Sequence, residues 1–158
     1  MKISESGKNF SDVISNSGKS KLDRNKNIQS AQITVTDAST VDDIMGLAVV
    51  WDDANSTFVP YTGQVIATIT AGNDSDLPDG SAVAIVTGGA RGDGYDVKDV
   101  DLTAGVAVRA YYRDCEAVRE GIEMGAATAA QQDAFVLELE KQSVSVASCA
   151  DEVTPSYL

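Results

Sequence analysis

Gly105-Val-Ala-Val-Arg-Ala-Tyr-Tyr112 alternates, with Val106, Val108, Ala110 and Tyr112 on one face. A period of two over eight residues reads as a half-buried strand that begins after a glycine. Upstream, Ser81-Ala-Val-Ala-Ile-Val-Thr87 is a continuous run of small and β-branched residues, the pattern of a buried strand. Between the two lie Gly88 to Gly94, a flexible loop, and Tyr95 to Leu102, which alternates weakly. Downstream, Thr128-Ala-Ala-Gln131 has the form of a capping box and predicts a helix to about Lys141. Its core face is expected to carry Ala130, Ala134, Leu137 and either Phe135 or Val136. Ser143 to Ala147 closes the body as a last strand, and Asp114 to Glu120 is expected to form a short helix stopped at Gly121.

The first half adds further strands. Ile33-Thr-Val-Thr36 is β-branched and alternating, and Gly46 to Trp51 is a short apolar run closed by the turn cluster Asp52 to Asn55. Thr57 to Val59 is expected to pair back as a hairpin, limited by Pro60 to an edge or an end. Gln64 to Thr70 reads as another strand, followed by the turn-rich loop Gly72 to Gly80. The expected fold class is α+β and β-rich: one small domain of short strands with a helix at about 128–141 and a flexible basic N-terminal arm. The expected boundaries are 1–30 for the arm, 31–148 for the domain and 149–158 for a C-terminal tail.

Charge is segregated along the 158 residues. The chain holds 12 Lys+Arg, 24 Asp+Glu and no His, a formal net charge of −12. Residues 1–30 carry six basic and three acidic side chains, so +3; the remaining 128 carry six basic and 21 acidic, so −15. An acidic body argues against binding nucleic acid or anionic membrane. The arm is rich in Ser, Asn and Gly, with only scattered apolar residues (Ile3, Phe10, Val13, Ile14, Leu22) to offset its ordering entropy. Two readings of it stand: a contact segment, or a dispensable solubilising tail.

Sites of chemistry are scarce. Without His there is no ordinary neutral-pH base, no His triad and no usual zinc ligand. Cys115 and Cys149 have no CxxC spacing and read as two buried or half-exposed thiols, so no metal or cofactor is expected. Gly18-Lys19-Ser20 lacks the first glycine of a phosphate loop, because position 13 is Val. Asp74 to Gly80 misses the EF-hand spacing, with Pro78 inside it and Ile at position 85. Arg91-Gly92-Asp93 reads as a chance tripeptide in a glycine loop, and Trp51 as a core residue. The first residues have no apolar h-region, so no secretory signal is expected, and synthesis is expected in a reducing cytoplasm.

The order of features from residue 76 carries a resemblance. Asp79-Gly80-Ser81 to Thr87 is a turn and a small-residue strand; a polar hairpin and Gly105 to Tyr111 follow; then come Arg113 to Val118, the polar-started helix from Thr128 and Ser143-Val-Ser-Val146. In that order the chain resembles the head decoration (capsid-stabilising) proteins of lambda-like tailed phages over about half its length. Residues 41–75 match loosely, and those after Val146 look like an addition.

The resemblance implies a β-rich homotrimer on the outer capsid surface of the virion, bound to the major capsid protein by an N-terminal segment, with no catalytic residues. Lys19, Lys21, Arg24 and Lys26 are then the expected capsid-binding cations, and Ile33 and Val35 the expected strand-adding residues. Strand 81–87 and helix 128–141 are expected near the subunit contacts. The alternative is a surface-exposed adhesin or Ig-like appendage domain of phage or bacterial origin.

Overall fold

Val49 and Trp51 point one way from their strand while Ala48 and Val50 point the other, and both faces are buried. This two-sided burial is the key to the architecture. In the computed structural model, residues 8–16, 30–67, 75–89 and 98–148 are described. They contain α1 (Phe10–Val13), β1 (Ile14–Asn16), β2 (Ser30–Val35), β3 (Thr40–Asp43), β4 (Ala48–Asp52) and β5 (Thr57–Pro60). These are followed by β6 (Val83–Gly89), β7 (Lys98–Asp101), β8 (Val106–Tyr111), β9 (Cys115–Val118), α2 (Ala129–Lys141) and β10 (Val144–Ala147). The fold is α+β and strand-rich, one small domain with its main helix in the C-terminal half.

Five strands close a barrel in the order β2-β5-β4-β6-β8, the closing pair being β8 with β2. Its interior draws on every one of them: Ile33 and Val35, Phe58, Val49 and Trp51, Ala84 and Val86, Val108 and Ala110. A second core lies outside the wall. There Ala48, Val50, Val83 and Ile85 meet Phe135 and Leu139 of α2 and Val144 of β10. Strands β4 and β6 therefore separate two cores, which is why their sequences run apolar without alternation. β8 faces water on one side and alternates as expected. β9 forms the centre of a small mixed sheet, antiparallel to β1 and parallel to β10. β3 and β7 make a two-stranded ribbon.

Helix α2 starts at the expected cap: Gln131 N–H donates to Thr128 Oγ1 at 3.3 Å and Thr128 N–H to Gln131 Oε1 at 2.8 Å. Its buried face differs from the expected one. Phe135, Val136 and Leu139 are covered, whereas Ala130 and Ala134 are exposed and Leu137 is 54% exposed. Apolar residues occur on more than one side of this helix, and Phe135, Val136 and Leu139 took the core while Leu137, Ala130 and Ala134 did not.

Three other expectations are corrected. Residues 64–67 form no strand, because Gln64 folds back on its own loop: its Oε1 accepts from Thr62 N–H at 2.6 Å and its Nε2 donates to Pro60 O at 2.9 Å. The rest of that stretch, 68–70, lies outside the described residues. Residues 115–118 are a strand where a helix was expected, since pairing on both sides with β1 and β10 buries Cys115 and Ala117. Long-range pairing overrode local helix propensity here. Strand 81–87 is not available to a subunit contact: β6 is paired on both edges, and Ala82 to Val86 are 0% exposed.

Candidate functional site

The N-terminal segment enters the fold earlier than its composition suggests. Val13 is 0% and Ile14 2% exposed, both in the outer core beside Ala117 and Ile122. Two glycines admit this packing: a Cβ on Gly121 would lie 2.0 Å from the Asp12 carbonyl, and one on Gly46 would lie 2.1 Å from the Gly121 carbonyl. β1 then pairs with β9, Ile14 opposite Ala117 and Asn16 opposite Glu116. Phe10 stacks edge-on against Tyr111 at 5.4 Å, and Lys8 Nζ donates to Gly121 O at 3.1 Å. Residues 8–16 thus belong to the body. The adjacent pair Val13-Ile14 was the one signal for this in an otherwise polar stretch.

This changes what the expected contact residues are. Ile33 is 2% and Val35 1% exposed, their side chains inside the barrel. β2 pairs with β8 along its whole length, from Ser30 opposite Tyr111 to Val35 opposite Val106. A strand engaged this way cannot offer Ile33 and Val35 to another sheet, and that expectation is withdrawn. Lys19, Lys21, Arg24 and Lys26 lie outside the described residues. Their covalent anchors are described: Asn16 at the end of β1 and Ser30 at the start of β2. Between them, residues 17–29 hold four basic and one acidic side chain, the whole +3 of the N-terminal region.

The body is acidic, and its open grooves show where. One, of about 540 Å³, is lined by Asp37, Trp51, Asp52, Asp53, Val59 and Val65 among others. Among the described residues its carboxylates accept from neutral donors: Ser39 Oγ for Asp37, Ala54 N–H and Asn55 Nδ2 for Asp52, and Trp51 Nε1 at 3.3 Å for Asp53. Val65 is 96% exposed beside them. A second groove, of about 410 Å³, lies by Arg119, Glu123, Met124 and Gln132. It is largely self-neutralised, because Arg119 pairs with Asp133 at 2.5 Å and Lys8 with Glu123 at 3.9 Å.

Elsewhere the polar groups do structural work. Asp79 accepts from Ser81 N–H at 3.0 Å and pairs with Arg113, which ties the turn before β6 to the chain after β8. Thr103 donates twice to Asp101, which holds that carboxyl below its ordinary value. Cys115 is buried, and desolvation, helped by the Asp114 charge, pushes its thiol up to about 12. At neutral pH it is a protonated core residue and no nucleophile. Cys149 lies outside the described residues. No group of three or more metal-ligating side chains is found among the described residues.

Comparison with known proteins returned no family model, no characterised protein and no solved structure that matches this chain.

Proposed function

We propose that this protein is a non-enzymatic decoration protein of a tailed-phage head, which binds the outer capsid surface as a homotrimer and stabilises the shell. The observation that carries the reading is the placement of charge. A 13-residue segment with net +3 is strung between two locked strands of a body that is otherwise strongly acidic. Such a segment speeds encounter with an acidic partner surface, while the body repels it. Three copies held together present three such segments. Tethering then raises their joint affinity above one segment's by roughly 10²–10⁴. The order of elements from Asp79 to Val146, on which the resemblance to phage head decoration proteins rests, supports the same reading.

The test must leave the fold intact. Deleting residues 2–27 would remove Val13, Ile14 and β1 from the core, so charge substitution replaces deletion. The variant Lys19→Gln/Lys21→Gln/Arg24→Gln/Lys26→Gln is expected to keep its circular dichroism and remain folded at the assay temperature yet lose most binding to purified, undecorated heads in a sedimentation assay. Undiminished binding by this variant defeats the reading.

A further inference from the structure

The groove beside Trp51 carries three carboxylates, Asp37, Asp52 and Asp53, none ion-paired to a cation among the described residues. Its apolar part is Val59, half-buried, and Val65, almost wholly exposed. An open carboxylate groove with an apolar side calls for a cationic peptide that also carries an aliphatic side chain. One stretch of this chain has that composition: Lys19-Ser-Lys21-Leu22-Asp-Arg24-Asn-Lys26.

We propose that this groove receives residues 17–29 of a second copy of this chain. Leu22 covers Val59 and Val65, and the flanking cations meet the three carboxylates. The chain's own segment is the competing occupant, and a monomeric wild type is the outcome that selects it. Lys26, four residues from Ser30, stays within about 14 Å of that anchor, whereas Leu22, eight residues away, can span about 27 Å. β2 runs from Ser30 toward Asp37, which puts the groove roughly 20 Å away at the far end of that strand. The contact is heterologous, segment to groove, and repeats from copy to copy; a closed ring of three is one way to complete it. It builds on the decoration reading in using the same cations, for which a shell surface would compete with the groove. It concerns the protein alone, so the experiment contains no shell: an associating wild type whose exchange variants fail leaves the decoration reading standing, whereas a monomeric wild type also removes that reading's trimer in solution.

Sedimentation velocity of the full chain at about 100 μM tests it. The wild type is expected to associate at low salt, with affinity falling about tenfold or more between 0.05 and 0.5 M NaCl. Asp37→Asn/Asp52→Asn/Asp53→Asn removes the three charges, keeps acceptor oxygens for Ser39, Ala54 and Trp51 while losing the one for Asn55, and is expected to sediment as a monomer. The decisive arm is charge exchange. Asp37→Lys/Asp53→Lys and Lys21→Glu/Arg24→Glu should each be monomeric alone and associate when mixed. Two reversals change −12 to −8 in the first and to −16 in the second. Both remain acidic, so bulk attraction between them cannot imitate rescue. A monomeric wild type, an Asn variant that associates like the wild type, or folded exchange variants that stay monomeric on mixing would each overturn the proposal. If the lysine variant does not fold, the Asn variant decides.

Discussion

Gln142, at the C-terminal end of α2, is bonded through its side chain to both backbone groups of Val83 in β6. Its Oε1 accepts from Val83 N–H at 3.3 Å, and its Nε2 donates to Val83 O at 2.9 Å and to Tyr112 O at 2.8 Å. The last rung between β6 and β8 is Ile85 with Tyr111. Beyond it the strands part, and this buried amide fills the gap. Gln142→Leu leaves three buried backbone groups without that partner and is expected to cost about 2–4 kcal/mol by urea denaturation. A loss below about 0.5 kcal/mol would show that water replaces the amide.

Gly121 makes a second prediction. A methyl there collides with the Asp12 carbonyl, so Gly121→Ala should push α1 and β1 off the body. The expected global loss is about 1–3 kcal/mol. Limited proteolysis should show earlier cleavage within residues 8–16, and a variant as resistant as the wild type would contradict the packing described.

Alkaline pH supplies a third. The Cys115 thiol sits at about 12 against an ordinary value of 9.0, and burial also raises Tyr61 and Tyr112. Above pH 9 the unfolded chain releases the thiol proton while the native chain keeps it. Stability is therefore intact below pH 9 and declines as pH rises from 9 toward 12. In a Cys149→Ser background, the native thiol should stay unreactive toward a disulfide reagent at pH 8.5 and react on unfolding. Fast modification of the native protein would refute the burial of Cys115.

Salt provides a fourth. Residues 31–158 hold 21 acidic and six basic side chains, and their mutual repulsion weakens the folded state. Raising NaCl to about 0.5 M shortens the screening length to a few ångströms and should raise the melting temperature. A flat or falling melting temperature would mean that net charge has little bearing on stability.

Much of the fold was legible from local pattern. The hairpin of β4 and β5, strands β2, β6 and β8, the capping box at Thr128 and the closing strand β10 follow from alternation, turn residues and one reciprocal cap. The candidate site was legible only as charge. The sequence alone places net +3 within residues 17–29 and −15 after Ser30, and it removes His from every mechanism.

Tertiary structure decided the rest, because the deciding contacts join residues far apart in the chain. Whether Cys115 to Val118 is helix or strand depends on β1 and β10, about 100 residues before and 30 after it. Whether Ile33 and Val35 are free depends on β8, which closes the barrel over them. The polar segment 8–16 is bound by the small space at Gly46 and Gly121, a complementarity of shape that leaves almost no trace in composition. Asp37 and the adjacent pair Asp52-Asp53 are far apart in the chain until the barrel sets them around one groove. Local sequence sets what each segment can become, and burial against distant partners, which removes far more apolar surface from water than any one segment can, selects among those states.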